Sequence, residues 1–169
     1  IISGPSGSGK HSLISSVIEK YPDRFALSVS ATTRKKREIL KDDSTYVFLS
    51  KDEFEEYITQ GKFLEYEEYC GNLYGTLKDS VNRSDGKIVI LEIDVEGAKQ
   101  VMKKMPNIAS VFIQPPGDSI DEQIAILGKR LNWRDTEDKA STDKRISVAK
   151  KELSQKDLYT KVITNDVLE

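Results

Sequence analysis

The sequence has little cysteine and little histidine: Cys70 and His11 are the single residues of each kind among 169. With one cysteine the chain cannot form an internal disulfide, and a zinc site built on several cysteines is excluded. No apolar run is long enough to cross a bilayer and no signal peptide is visible. These absences predict no membrane partner, a reducing compartment and a cytoplasmic location.

An excess of one charge is also missing, because 26 Lys and Arg residues stand against 28 Asp and Glu residues. A general binder of nucleic acid needs a basic excess to displace counterions, so we expect no nucleic-acid partner. Hydrophobic residues make up 37% of the 169 residues, which suits one domain with a real core. We expect a monomer or a weak dimer, and a trimmed amino terminus because the chain starts at Ile1.

Strand and helix patterns alternate along the chain. The predicted helices cover residues 11–21, 51–60, 76–82, 95–105, 118–131 and 144–154. The predicted strands cover residues 1–3, 25–29, 46–49, 63–75, 87–93, 111–113 and 161–164. Residues 87–93, KIVILEI, are apolar on both faces, which is typical of a central parallel strand. The alternation predicts an α/β fold with a parallel sheet flanked by helices.

Two polar segments without periodicity separate these elements. Residues 31–44 are polar and basic and are predicted to form a loop. Residues 132–143 are polar and charged and are predicted to form a mobile loop.

The stretch GPSGSGKHSL (residues 4–13) fits the phosphate-binding pattern G-x-x-x-x-G-K-[ST] except at its last position. His11 stands where a hydroxyl would normally meet magnesium, and a serine follows one residue late. A glycine-rich loop between a strand and a helix presents backbone N–H groups to an anion, which favours phosphate. An incidental Gly/Ser turn is the alternative. The residues assigned to ATP are Gly4, Ser6, Gly7, Ser8, Gly9, Lys10, His11 and Ser12.

A second constellation combines two arginines with two tyrosines. Arg34 and Arg37 lie in one predicted loop, and the planar fork of arginine matches phosphate oxygens in pairs. Farther on, a lone carboxylate at Glu65 can accept the two adjacent hydrogen bonds that guanine donates and adenine does not. The alternatives are a solvated basic loop for the arginines and ordinary half-buried structure for Tyr46, Tyr74 and Glu65.

Taken together, these motifs resemble the guanylate kinase family, in the family's order and over nearly the whole chain. GPSGSGK resembles its P-loop, SVSATTRKKR its GMP-phosphate loop and FLEYEEYCGNLYGT its guanine-recognition segment. ILEIDVEG resembles the strand with an acidic end, and NWRDTEDKASTDKR resembles the ATP lid. The resemblance implies a P-loop NTPase-type α/β fold that transfers a phosphoryl group from ATP, the co-substrate, to GMP with Mg²⁺.

The resemblance also implies roles for individual residues. The GMP phosphate would be held by Arg34, Arg37, Tyr46 and Tyr74. The guanine would be recognised by Ser30, Glu65, Thr76 and Asp94. The catalytic set would be Lys10, Arg34, Arg130, Arg134 and Arg145. The metal ligands stay open, with magnesium held mainly by phosphates and water and Glu92 nearby.

One domain spanning residues 1–169 is implied, with a core (1–29 and 82–169), a small GMP-binding subdomain (about 30–81) and a lid (about 132–143). The sequence departs from the family pattern at Lys36, where proline is common, and at Glu92, where aspartate is common. It also ends before the family's last helix. Two other functions stay open. One is a phosphopeptide-binding module with weak or no catalysis, which Lys10, Arg134 and Arg145 disfavour. The other is a kinase for another nucleoside monophosphate, which Glu65 and Thr76 disfavour.

Overall fold

The structure is a computed structural model that describes residues 1–36, 45–82, 85–133 and 139–166. The strands are β1 (Ile2–Ser3), β2 (Phe25–Leu27), β3 (Ser30–Thr32), β4 (Tyr46–Phe48), β5 (Phe63–Tyr69), β6 (Asn72–Leu77), β7 (Ile88–Ile90), β8 (Val111–Gln114) and β9 (Lys161–Thr164). The helices are α1 (Lys10–Lys20), α2 (Lys51–Thr59), α3 (Lys78–Val81), α4 (Val95–Lys104), α5 (Ile120–Trp133) and α6 (Lys139–Leu153). No helix in this part of the chain is long and apolar enough to cross a membrane.

The larger sheet is parallel, as the alternation predicted. β2 pairs with β7, and β8 lies between β1 and β9, all in parallel register. A parallel bridge between Ile2 and Glu92 joins these two groups, supported by a 2.8 Å hydrogen bond from the Ile2 N–H to the Leu91 carbonyl. The resulting strand order is β2–β7–β1–β8–β9. The carboxyl ends of these strands, where α/β proteins bind ligands, therefore lie along one edge.

The main core forms where α4, α5 and α6 cover this sheet. Its fully buried side chains come from strand ends and helix faces, and include Val95, Val101, Phe112, Leu127 and Leu153. The predicted burial of residues 87–93 on both faces is wrong at its start, because Ile88 is 57% exposed. Burial is complete only where the strand passes β1, at Ile90, Leu91 and Ile93.

The smaller sheet has the order β4–β3–β6–β5 and its own core. β3 is parallel to β4 and antiparallel to β6, and β6 is antiparallel to β5. Helix α2 covers it, with the Phe54 and Phe63 rings stacked at 4.5 Å between centroids. A capping box between Ser50 and Glu53 starts α2, so the local sequence determines where this helix begins.

Three assignments from the sequence are corrected by the structure. Residues 31 and 32, at the start of the loop predicted for 31–44, belong to β3. This short strand is stabilised by pairing with neighbours on both sides, which no local period reveals. Thr76 and Leu77 belong to β6, and only Lys78–Val81 are helical. The loop predicted at 132–143 is helical at both ends, since α5 extends to Trp133 and α6 begins at Lys139. The extended segment predicted at 63–75 is present as two antiparallel strands, β5 and β6, with positive φ angles at Cys70 and Gly71 between them. The remaining predicted elements are present, with shifted ends.

Candidate active site

The loop between β1 and α1 is built on glycines at positions where other residues would be strained. Gly4, Gly7 and Gly9 have φ angles of 141°, 86° and 86°. A Cβ on Gly4 would collide with the Ile113 carbonyl, and one on Gly9 with the Asn165 side chain. The loop therefore lies against β8 and the end of β9, and it presents its backbone at the N-terminus of α1, a position that favours anions.

Two cationic side chains meet at this loop. The Lys10 ammonium donates to the carbonyls of Gly4 and Pro5 at 2.6 and 3.0 Å. The Arg145 guanidinium, from α6, donates to Ser6 Oγ at 2.9 Å. These contacts place positive charge from both ends of the sequence beside one phosphate-binding loop.

His11 faces the cleft instead of the solvent. Its Nδ1 lies 3.0 Å from Glu92 Oε2, and the side chains are 26% and 19% exposed. Glu92 is held at this place because its backbone forms the bridge to Ile2 of β1. The contact therefore joins the first turn of α1 to the carboxyl end of the central strand.

At the other end of the cleft, a buried carboxylate is already hydrogen-bonded before any ligand binds. Glu65 Oε1 accepts from the backbone N–H of Thr76 at 2.9 Å and from its hydroxyl at 2.6 Å. Glu65 is 4% exposed, and this burial raises its pKa. Asp94 caps α4 by accepting from the Gly97 N–H at 2.8 Å, and burial raises the pKa of Asp94 to about 6. Glu65 and Asp94 therefore present hydrogen-bond acceptors in fixed orientations at this end of the cleft.

Between these ends lies an arginine flanked by aromatic rings. The Arg34 guanidinium carbon is 5.5 Å from the Tyr46 ring centroid and 5.4 Å from that of Phe48. Tyr46 in turn packs edge-on against Tyr74, with centroids 6.4 Å apart. Stacking of this kind orients the planar guanidinium while leaving its N–H groups able to donate.

The elements enclose one open cleft of ≈ 220 Å³. Most of the residues predicted from the sequence line it: Gly4, Ser6, Gly7, Gly9, Lys10, His11, Ser30, Arg34, Tyr46, Glu65, Tyr74, Glu92, Asp94 and Arg145. Four do not contribute to its lining: Ser8, Ser12, Thr76 and Arg130. Arg37 and Arg134 lie outside the described residues.

The structure places Arg130 behind the phosphate loop. Its guanidinium donates to the carbonyls of Asn165 and Asp166 at 3.0 and 2.9 Å. The Asn165 amide donates in turn to the Ser8 carbonyl at 2.9 Å. Arg130 therefore holds residues 165 and 166 in place, and Asn165 in turn holds the phosphate loop.

Sequence reasoning missed the wall formed by Glu67, Tyr69 and Glu152. Glu152 is 4% exposed and its Oε2 has no hydrogen-bond partner among the described residues. Burial raises the pKa of Glu152 to about 7. A periodic signal existed in each case, because residues 65, 67 and 69 share a face of β5, and Glu152 lies two turns after Arg145 on α6.

These features define a class: a P-loop α/β protein in which one cleft joins a phosphate loop to a second, smaller sheet with a polar base-sized pocket. The family model for guanylate kinase matches residues 1–169. A guanylate kinase of Enterococcus faecalis is 40% identical over 168 residues, covering 98% of this chain and 79% of that protein. One of Vibrio vulnificus is 43% identical over 169 residues, with coverage of 98% and 79%.

A solved structure supports the same assignment. The crystal structure of guanylate kinase from Anaplasma phagocytophilum matches with a TM-score of 0.69 and 28% identity, covering 97% of this chain and 74% of that one. The chain belongs to the guanylate kinase family.

Proposed function

We propose that the two ends of the cleft hold the two substrates of a guanylate kinase, ATP at the phosphate loop and GMP at the smaller sheet. As a member of its family, the chain is an ATP:GMP phosphotransferase. The observation that carries the proposal is that one cleft of ≈ 220 Å³ is lined on one side by the phosphate loop and on the other by Glu65 and Arg34. The proposal assigns residues 1–29 and 82–169 to the core, about 30–81 to the GMP-binding subdomain and about 132–143 to the lid.

At the ATP end, the backbone N–H groups of the loop and the Lys10 ammonium would hold the phosphates. The described residues contain no cluster of three or more His, Cys, Asp or Glu side chains that could bind a metal by itself. Glu92 nevertheless fits Mg²⁺ as one oxygen ligand, directly or through water, because magnesium is usually held by few carboxylates with phosphates and waters completing the shell. The bound ion would neutralise phosphate charge.

At the GMP end, Arg34, Tyr46 and Tyr74 would hold the phosphate together with Arg37. The Glu65 carboxylate would accept from the guanine ring N–H and amino group, with Ser30 and Asp94 completing the pocket. Thr76 acts through Glu65, because both of its hydrogen bonds hold that carboxylate in place. The base is therefore recognised by groups that need little rearrangement.

The reaction needs no nucleophile from the protein. A phosphate oxygen of GMP attacks the γ-phosphorus of ATP in line, and the β–γ oxygen leaves with ADP. Catalysis consists of alignment and charge neutralisation by Lys10 and Arg145, with Arg130 and Arg134 proposed as further cations. Water must be excluded, since it would compete with GMP, so the subdomain and the lid would close on the substrates.

ATP and GMP are cytoplasmic metabolites, so a cytoplasmic location is part of the proposal, as is a monomer or weak dimer. A coupled assay of ADP release with GMP, dGMP, AMP, UMP and CMP tests the function. We expect GMP to be preferred. The absence of ADP release with all five acceptors, together with phosphopeptide binding in the cleft, would indicate a binding module. Equal rates with AMP and GMP would indicate a different kinase.

The residue roles are tested by separating kcat from KM. Arg37→Ala should mainly raise the KM for GMP, because this side chain is proposed to grip a phosphate present in ground and transition states alike. Arg145→Ala should mainly lower kcat, because it meets charge on the moving phosphoryl group. A change confined to KM in both variants would contradict the role of Arg145.

A further inference from the structure

The contact between His11 and Glu92 lies where a P-loop normally presents a hydroxyl to the metal, and His11 replaces that hydroxyl here. The two side chains come from different elements, the first turn of α1 and the end of the central strand. Both line the nucleotide cleft, and their facing atoms, Nδ1 and Oε2, are 3.0 Å apart. A substitution that merely removed the hydroxyl would not need to place an imidazole nitrogen beside this carboxylate.

The separation of these atoms matches the spacing of two ligands on one ion. Divalent first-row ions bind imidazole nitrogen and carboxylate oxygen at roughly 2.0–2.2 Å. Two such ligands at right angles on an octahedral ion are about 3.0 Å apart, which is the distance found here. His11 Nδ1 and Glu92 Oε2 could therefore bind the same metal ion without a change in the backbone.

The chemistry of the pair selects among ions. Magnesium prefers oxygen ligands in near-ideal octahedral geometry, and an imidazole adds little to its affinity. Imidazole nitrogen binds first-row transition ions far better, in an order that rises from Mn²⁺ to Co²⁺. In the 3.0 Å hydrogen bond the His11 Nδ1–H donates to Glu92 Oε2, and a bound ion would take the place of that proton, with the ring proton then on Nε2. The ring would stay neutral in both states, which suits the N-terminus of α1, where positive charge is disfavoured.

We propose that His11 Nδ1 and Glu92 Oε2 form a nitrogen–oxygen half-site for a divalent transition ion such as Mn²⁺ or Co²⁺. The phosphates of ATP complete the site, so the inference rests on the proposed function of the P-loop. The enzyme would then use these ions in preference to Mg²⁺. His11 is the specificity-determining residue, and Glu92 is the oxygen ligand whichever ion is used.

Two simpler readings of the same contact make different predictions. If His11 only hinders the ion, removing the ring should improve the use of every metal. If the contact only ties α1 to the sheet, removing the ring should lower thermal stability and leave the choice of metal unchanged. The half-site alone predicts opposite effects on magnesium and on the transition ions.

The first test titrates Mg²⁺, Mn²⁺ and Co²⁺ in the GMP-phosphorylation assay with wild type, His11→Ser and His11→Ala. For His11→Ser we expect the half-maximal rate at a lower Mg²⁺ concentration than in wild type. With Mn²⁺ or Co²⁺ the half-maximal rate should need an about tenfold higher concentration than in wild type. His11→Ala should lose the transition-ion preference without gaining a hydroxyl. Ser15→Ala is the matched control, because Ser15 is exposed on the same helix.

The second test does not depend on turnover. His11 is the single histidine of the chain, so ¹⁵N-histidine labelling of tag-free protein marks one imidazole. Pulsed EPR of Mn²⁺ with a non-hydrolysable ATP analogue should show a nitrogen coupling that changes with the ¹⁵N label. The coupling should be absent in His11→Ala, while circular dichroism shows the same fold.

The outcomes separate the two proposals. The half-site is overturned if His11→Ala reaches half-maximal rate at lower concentrations of both Mg²⁺ and Mn²⁺, or if neither concentration changes. It is also overturned if the labelled ring gives no nitrogen coupling. In each of these cases GMP phosphorylation continues and the proposed function stands. If no divalent ion supports phosphorylation of GMP by wild type, the proposed function itself fails.

Discussion

In the proposed binding mode, the two ends of the cleft recognise phosphate and base by different means. At the phosphate end, recognition depends on backbone: three glycines with positive φ expose N–H groups at the start of α1. At the guanine end, it depends on side chains from β3, β5 and β6 and from the cap of α4. Backbone recognition requires a contiguous loop, whereas side-chain recognition requires several elements to be packed correctly.

The difference extends to how each end is supported. The phosphate loop is held from below by Asn165, whose amide donates to the Ser8 carbonyl. The guanine end supports itself, because Thr76 donates twice to Glu65 and the Gly97 N–H donates to Asp94. A change at the first end should therefore affect charge neutralisation, and one at the second should affect the choice of base.

Lys10→Ala should have the largest effect, at the phosphate end. Its ammonium is the cation built into the loop, and loss of one group that stabilises the developing charge typically costs about 10²–10³ in kcat. The KM for GMP should change little. Steady-state kinetics with saturating ATP measure this, with Lys20→Ala in the exposed last turn of α1 as control. A fall in kcat accompanied by an equally large rise in the KM for GMP would contradict the assignment of Lys10 to the phosphate end alone.

Glu65→Gln should have the next largest effect, confined to the guanine end. The amide cannot accept both guanine bonds, so discrimination between GMP and AMP should fall by roughly 10² in kcat/KM. The KM for ATP should stay as in the wild type. Glu68→Gln, exposed on the same strand, is the control and should leave the preference intact. Unchanged discrimination would show that another group selects the base.

Glu152→Gln, in the wall between the ends, should stabilise the free protein. Burial raises the pKa of Glu152 to about 7, although the Lys10 charge opposes this, and Asp94 and Glu96 add to it. A carboxyl with a raised folded-state pKa contributes stability at low pH that is lost as pH rises from about 4.5 to 7. The variant should therefore gain about 2 kcal/mol over wild type at pH 8 and little at pH 4.5.

Denaturant unfolding across this pH range measures the effect. Glu96→Gln is the contrasting control, because hydrogen bonds from Lys151 and Lys99 lower the pKa of Glu96. Removing the negative charge of Glu96 should slightly destabilise the protein above pH 5. If Glu152→Gln followed the same pH profile as wild type, the buried carboxylate would not be the source of the dependence.

Gly97→Ala should have the smallest of these effects, again at the guanine end. A Cβ at this position would lie 2.5 Å from Glu65 Oε2, so the carboxylate would have to shift. We expect the KM for GMP to rise about tenfold, with the KM for ATP unchanged. Gly128→Ala is the control, since its nearest contact would be 3.8 Å from Ile146 and alanine is the better helix former. An equal rise in both KM values would point to general damage to the fold.

Local patterns in the sequence account for most of the fold and for the phosphate end. A contiguous motif such as GPSGSGK carries its own geometry, and periods of 2 and 3.6 residues identify most strands and helices. The exceptions have specific causes. β3 was missed because its stability comes from pairing with β4 and β6. Burial on both faces was wrong for Ile88, since the buried part of that strand starts only at Ile90.

The guanine end was anticipated residue by residue through the family resemblance, and the structure adds how those residues are held. Glu65 and Thr76 bind each other, and Asp94 is engaged as a helix cap. The roles of individual residues toward ATP and GMP stay predictions, and Arg37 and Arg134 fall outside the described part of the chain.

By itself, the sequence determined the alternating α/β order, the phosphate loop and the chemistry available to a nucleotide, because each depends on neighbours within a few residues. Tertiary structure alone decided that His11 meets Glu92, that Arg145 reaches Ser6 across 139 positions, and that Glu152 is buried in the wall of the cleft. These features depend on how helices pack on a sheet. A local period can show which residues share a face of one helix or strand, but it does not show which residue of another element that face will meet.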